Sequence, residues 1–394
     1  MNVSSKCPAF HGDIAAYILN CLSGRDDIES LTERYEILAK KSPCVIDREN
    51  KTAFVFSAEL AHKIFDSNAF HRSVRLRLMG DVVDLDSKYE MYLHYNDMPV
   101  FAEEKKYSAE VEKKFMKRTQ EIWPRIEKRL ILAVSQEFGD ETDFGTVILN
   151  ALSDTVTYYF EDVYAGENGP LANHALHYMR AVSDTAYDDE FERAKQAIEV
   201  FKRVSENMTK SSDWFSGQEL DPRAISPIVA QWAAGFAVPL HAHLMRVFLQ
   251  EFQRSGGEIV LEDNSRVTAI DGSSDGREFS SLIPFQFANR DCVYGTKIDN
   301  FRFETGMRVF VFLGVANWDE AKDGKSKLFF GPVNRPCAGM RVSILAEKCV
   351  TKQLKLRLRD IVAEFPLVYS KFLSPKAIIG FRSVQLRSSN IGDR

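Results

Sequence analysis

The sequence predicts a mainly α protein with small β-sheets, an α+β arrangement in a single large domain over residues 1–394. Three observations carry that reading. Charged and apolar residues interleave at three-to-four spacing from Ala102 to Val134 and from Asp188 to Met208, the pattern of helices that bury one stripe. The apolar run Ile225 to Phe252 has the length of a buried helix. Runs rich in β-branched and aromatic residues are short and gather in two places, Cys44 to Phe56 and Cys292 to Leu313.

The elements follow in order. Ile14 to Leu22 is apolar but interrupted by Asn20 and bounded by Asp13 and Arg25. It is too short to span a bilayer and has no basic leader with a cleavage site, so a soluble, cytoplasmic protein without membrane association is expected. A short helix after residue 25 leads to two β-prone runs around the polar turn Asp47 to Lys51, which predicts a hairpin. After the two charged helices, Ser211 to Arg223 is a polar break. Pro239 falls in the middle of the buried run and should kink it, because it lacks an N–H and clashes with the preceding turn. Gly256 to Asp275 turns polar, with a small hairpin expected around Glu258 to Leu261. Neither a repeat nor a linker composition divides the chain.

Composition narrows the function classes. With 45% hydrophobic residues the chain can bury a large core, and a net charge of −5 gives no global reason to expect a nucleic-acid partner. Six scattered cysteines lack the paired spacing of a zinc site or a disulfide framework, which points to a reducing compartment.

One cysteine stands apart. Cys337 lies in the turn-rich stretch Phe329-Phe330-Gly331-Pro332-Val333-Asn334-Arg335-Pro336-Cys337-Ala338-Gly339-Met340, which runs into an apolar helical segment. A thiolate at such a position suits an axial haem ligand, and the backbone N–H groups of a tight glycine-containing turn can shield its charge. The alternative is an ordinary buried thiol.

The loop resembles the haem-thiolate signature of the cytochrome P450 family, with Phe330, Gly331, Arg335, Cys337 and Gly339 at the matching offsets and Val333 in place of a usual glycine. Ile298 to Val309 resembles the family's short sheet segment before that loop. Ala316-Asn317-Trp318-Asp319 resembles the stretch that comes next, and Ile379 to Leu386 the closing strand. The resemblance implies haem b held by Cys337 as metal ligand, with Phe330 and Gly339 beside it. It implies Arg335, Arg290 and Lys105 near the haem propionates.

Several positions depart from the family's pattern. Its helical Glu-x-x-Arg pair falls on Glu278 and Ser281, so the arginine is missing; a shifted reading, Glu251 to Arg254, restores the pair but spaces it badly. Phe101 and Lys105 replace a histidine and an arginine. In the central helix an acid and an alcohol normally deliver protons during oxygen activation, and here Ala237 and Val238 take their places, followed by Pro239. Neither can carry a proton. His241, one turn further on, is a candidate proton source because histidine titrates near neutrality. The competing reading is a histidine hydrogen-bonded within the core.

The resemblance therefore implies an oxidase or monooxygenase of secondary metabolism, acting on a small-molecule or carrier-bound intermediate with electrons from a ferredoxin or flavoprotein. Lys348, Lys352, Lys355, Arg357 and Arg359 would offer such a donor a basic surface. A second reading is a peroxide-using or redox-neutral haem-thiolate enzyme, since fatty-acid peroxygenases also place a proline in the central helix. They pair it with an arginine where this chain has Val238. A third is a catalytically degenerate haem-binding protein.

Overall fold

The computed structural model describes residues 42–72, 102–135, 142–166, 169–182, 188–215, 220–257, 259–261, 287–321, 328, 337, 339–362, 367–373 and 379–386. These residues form two compact units, each assembled from segments distant in sequence. That interleaving is why no linker composition marks a boundary between them.

The first unit takes residues 1–83, 277–335 and 373–378. Its five-stranded sheet has the order β1-β2-β8-β5-β3, built from β1 (Cys44–Asp47), β2 (Thr52–Val55), β3 (Phe70–Arg72), β5 (Phe287–Cys292) and β8 (Arg308–Phe312). The hairpin read from Asp47 to Lys51 is present: Cys44 pairs with Val55 and Asp47 with Thr52 in an antiparallel register. Lys51 closes it at φ 47°, and the Asp47 carboxylate accepts from the Asn50 backbone. β2 and β8 run parallel, with Ala53 opposite Val309. Parallel strands need a long crossover, and here more than 250 residues of chain separate them.

Helix α1 (Ala58–Asp66) is capped by Ser57, whose hydroxyl accepts from the Leu60 N–H. Its buried face, Leu60, Ala61, Ile64 and Phe65, joins Val55, Val309, Val311 and Met307 in one hydrophobic cluster. A two-stranded ribbon of β6 (Thr296–Ile298) and β7 (Phe301–Phe303) turns at Asp299, which accepts from Lys63 of α1 at 2.8 Å. Ala316 and Asn317 lie in a short helix, α9 (Leu313–Ala321), directly after β8.

The second unit is helical and takes residues 84–276, 336–372 and 379–394. Its described helices are α2 (Ala102–Ser135), α3 (Phe144–Phe160), α4 (Leu171–Val182), α5 (Asp188–Lys210), α6 (Ser212–Phe215), α7 (Pro222–Gly235), α8 (His241–Arg254) and α10 (Met340–Val362). The charged helices appear as α2 and α5, close to the bounds their periodicity gives. Asp143 caps α3 through the Gly145 N–H, and Asp221 caps α7 ahead of Pro222.

Between α7 and α8 the run Phe236–Leu240 is a single π-helical turn containing Pro239. An α-helical bond back to Gly235 cannot form without a proline N–H, and the wider turn absorbs that loss while the helix continues. α8 then packs on α10, α3 and β10 (Ile379–Leu386). Around Glu258 to Leu261, where a small hairpin is expected, the described element is the single strand β4 (Ile259–Leu261). It pairs in parallel with β9 (Leu367–Leu373), a partner more than a hundred residues away that local sequence cannot show.

An aromatic cluster fills the space between α2, α3 and α7. Phe115 stacks on Trp232 with ring centroids 4.5 Å apart, and Phe160 and Trp214 meet Phe115 edge-on. Tyr159 is fully buried and its hydroxyl meets that of Thr119 at 2.5 Å. No described helix is long and apolar enough to cross a membrane.

Candidate functional site

Cys337 sits immediately before α10, so its sulfur lies at the N-terminal end of a long helix. The Met340 N–H donates to the Cys337 carbonyl and the Ser343 N–H to Gly339, both at 2.9 Å, which closes the first turn around the cysteine. The amides of Gly339 and Met340 also bond to the sulfur. A Cβ added at Gly339 would stand 3.7 Å from Sγ, an ordinary van der Waals contact, so Gly339 lies directly beside the sulfur.

Among the described cysteines Cys337 is the exposed one; Cys44, Cys292 and Cys349 are buried. Protein nevertheless surrounds its sulfur at longer range, so burial pushes the thiol pKa above its ordinary value. The Glu112 carboxylate of α2 adds to the rise, while the two amides oppose it. Cys337 is exposed, two amides are directed at its sulfur, and a coordinating cation would deprotonate it outright. No group of three or more metal-ligating side chains occurs among the described residues.

The helix pair α7 and α8 presents a narrow, partly exposed face. From Ile225 to Met245 every residue is buried except Gln231, Gly235 and Pro239, which follow one another at four-residue spacing. Around a Cβ built on Gly235 no described atom lies within 4 Å. Ala237 and Val238 sit at 4% and 8% exposure, off this face. Pro239, the third predicted position here, is on it.

His241 is buried, and its Nε2 lies 2.9 Å from the Gly145 carbonyl of α3. The carbonyl can only accept, so Nε2 carries the hydrogen of a neutral ring; burial also holds its pKa below the usual histidine value. Its neighbour His243 donates from Nε2 to Glu347 of α10 at 2.9 Å, while Arg246 lies 3.3 Å from its Nδ1. This three-residue network was not visible in the sequence, since its members are local on one helix and distant on another.

The other predicted residues fall as follows. Arg290 lies in β5 of the first unit, with its guanidinium 4.6 Å from the Phe65 ring centroid and its Nη1 donating to the Asn289 carbonyl at 2.8 Å. Lys105 falls in the first turn of α2, with its side chain outside the described residues. Phe330 and Arg335 lie outside them, as do Glu278, Ser281 and Phe101. Glu251 and Arg254 form an ion pair at 2.6 Å at the end of α8, Glu251 buried and Arg254 exposed.

No protein-family model and no curated protein matches the sequence. Solved structures do. That of P450BioI, in complex with a hexadec-9Z-enoic acid-ligated acyl carrier protein, superposes with a TM-score of 0.67 at 15% identity, covering 92% of this chain and 98% of that one. Cytochrome P450 CREJ, in complex with (4-ethylphenyl) dihydrogen phosphate, gives 0.66 at 13% identity, covering 94% and 100%.

The fold is that of the cytochromes P450.

CYP108D1 from Novosphingobium aromaticivorans agrees, with a TM-score of 0.63 at 14% identity over 95% of this chain and 99% of that one. In this chain Cys337 stands immediately before a long helix, and a second long helix is interrupted by the π turn Phe236–Leu240. The closing strand is β10, at the bounds its sequence suggests.

Proposed function

We propose that this protein is a haem-thiolate oxidoreductase of the cytochrome P450 type, acting on a small-molecule or carrier-bound intermediate of secondary metabolism. The observation that carries this reading is the pair of amides, Gly339 and Met340, bonded to the sulfur of an exposed Cys337 at the head of α10. When bound, a cysteinate-ligated haem supplies oxidising chemistry at its iron. Cys337 would hold the iron, and Arg290, Arg335 and Lys105 would neutralise the propionates. The bound carrier protein of P450BioI supports a carrier-bound substrate here.

What the chain's own residues do follows from their placement. The Gly339 and Met340 amides would spread the charge of the sulfur. Gly235 and Pro239 border the open distal face and offer a substrate an apolar wall. Lys348 and Lys355 are exposed on α10 and suit an acidic electron donor such as a ferredoxin or flavoprotein.

A peroxide-using or redox-neutral enzyme is the second reading, favoured by one observation. The described open face of the distal helix carries no acid and no alcohol, and its last residue is Pro239. Both buried histidines are committed to other partners. The described residues of that face supply no acid, so on this reading the substrate or water would.

The test of the haem assignment is the carbon monoxide difference spectrum of the reduced, haem-supplied protein. The red-shifted band of a thiolate ligand is expected, and Cys337→Ser should remove it; an unchanged spectrum would reject the ligand. Turnover with hydrogen peroxide alone, compared with turnover driven by a reductase and ferredoxin, separates the two readings.

A further inference from the structure

We infer that the seam between α2 and α10 docks an acidic amphipathic helix of a partner protein, with Leu132 and Leu356 as its apolar contacts and Lys128 and Lys352 as its charged ones.

Two contacts set the geometry of the seam. The Cys349 thiol donates to the Glu127 carbonyl at 3.9 Å, and Arg357 donates to the Ser135 carbonyl. Both join residues 222 positions apart, so α2 and α10 run parallel and in step. One position back from this contact line on α2, Ile126, Leu130 and Val134 are buried, and one position forward on α10 so are Val350, Leu354 and Leu358. They close the inner side. Turning the other way on each helix leads to the outer side, because a forward step on one parallel helix and a backward step on its neighbour face the same way. There stand Lys128 and Leu132 on α2 and Lys352 and Leu356 on α10, all four exposed.

Each helix thus presents a lysine one turn before a leucine. Adding 222 to Leu132 gives position 354, so the two leucines are offset by two residues. That is about 3 Å along the axis, and a third helix laid along the seam meets both. Leu132 is 51% exposed and Leu356 69%. Single exposed leucines are ordinary, but two bordering one seam form a patch.

Charge selects the occupant. The chain carries a net charge of −5, yet every exposed charged residue of α10 between Met340 and Leu358 is a cation: Arg341, Lys348, Lys352 and Lys355. On α2 the exposed acid beside the seam is Glu127, next to Lys128. A partner helix with carboxylates flanking its apolar stripe complements this arrangement, and a basic one is repelled. From Met340 at the head of α10 to Leu356 is about 24 Å at about 1.5 Å per residue, so the occupant is a recruiting partner and not the electron donor.

Fluorescence anisotropy on the full haem-supplied chain tests this with a labelled helical peptide of about 20 residues whose leucine stripe is edged by glutamates. The comparison peptides carry the same stripe edged by lysines, or glutamates with glutamines in place of the leucines. The glutamate-edged leucine peptide should bind about tenfold tighter than either and weaken as salt is raised. Leu132→Ser combined with Leu356→Ser should weaken it about tenfold. Lys128→Glu combined with Lys352→Glu should move the preference to the lysine-edged peptide. All four side chains are exposed, so circular dichroism of both double variants should match the parent. Equal binding of the three peptides, binding of none, or a preference that either double variant leaves intact overturns the inference. Sedimentation of the chain alone covers the remaining occupant: a dimer that Leu132→Ser with Leu356→Ser dissolves would place a second copy on the seam and overturn it as well.

Discussion

His243 of α8 and Glu347 of α10 meet at 2.9 Å, which ties the distal helix to the helix that begins beside Cys337. Arg246 donates to the other ring nitrogen, so the histidine presents its Nε2 hydrogen to the carboxylate. Burial holds the His243 pKa down, and the hydrogen bond from His243 holds that of Glu347 down. The contact is thus a neutral imidazole donating to an anion. Arg246 is itself pushed down to about 10 by burial and stays charged at neutral pH.

This arrangement makes acid destabilising. As pH falls below the ordinary histidine value of 6.5, the unfolded chain takes up a proton at His243 that the folded chain refuses. Stability then drops by about 1.4 kcal/mol per pH unit for each such group. His241 is depressed for the same reason and adds to the slope. Glu347 acts lower: its contribution is intact above the ordinary carboxyl value of 4.5 and is lost as pH falls through its lower folded value. Urea midpoints measured from pH 7.5 to 5 should fall for the parent and be flatter for His243→Gln. An equal slope in that variant would show that His243 does not titrate between the two states.

Cys337 should be the described cysteine that alkylates first in the folded protein. Cys44 and Cys349 are buried and their thiols are pushed up to about 12 and about 11, and Cys292 is also buried and raised. Because the Cys337 pKa is itself raised above 9.0, its rate should climb with pH through and beyond that value. Peptide mapping after iodoacetamide pulses reads this residue by residue. Supplying haem should protect Cys337 and leave Cys349 unaffected.

Periodicity and local turn chemistry made much of this fold legible. The helices α2 and α5, the hairpin at Asp47 to Lys51 and the final strand all declare themselves within a few residues of chain. The partner of Ile259–Leu261 could not be read, because parallel pairing with Leu367–Leu373 depends on contacts made only after folding. At the site, Cys337 and Gly339 were readable from their turn. Alignment by Gly235 places Ala237 and Val238 at the acid and alcohol positions; both are buried and lie inside the π turn Phe236–Leu240, of which the sequence shows only the proline. The partly exposed face of this stretch is Gln231, Gly235 and Pro239. Four-residue spacing of the glutamine, the glycine and the proline in an apolar run was the available signal.

The aromatic cluster of the second unit should dominate its stability. Phe115 is fully buried against Trp232, Phe160 and Trp214, so Phe115→Ala should cost about 3–5 kcal/mol. Tyr159→Phe removes one hydroxyl whose partner, Thr119, still donates to the Phe115 carbonyl at 2.8 Å; its cost should be about 1 kcal/mol. Urea denaturation of the two variants checks the ratio. Similar costs would mean that the Tyr159 hydroxyl, and not ring packing, organises this core.

Pro239→Ala tests whether the π turn has already relieved the proline. A proline strained within an α-helical turn costs about 3 kcal/mol, and its replacement would recover most of that. Here the turn is widened over Phe236–Leu240, and the phase of α8 beyond it is fixed by three separate contacts. These are His241 with Gly145, His243 with Glu347, and Phe248 stacked on Phe144 at 3.9 Å between centroids. Returning to an α turn would rotate α8 by about 100° and break all three. The π turn should therefore persist, and Pro239→Ala should change the unfolding free energy by less than about 1 kcal/mol. A gain near 3 kcal/mol in urea melts would show that the proline remains strained and that the bulge is imposed from α8 rather than caused by Pro239.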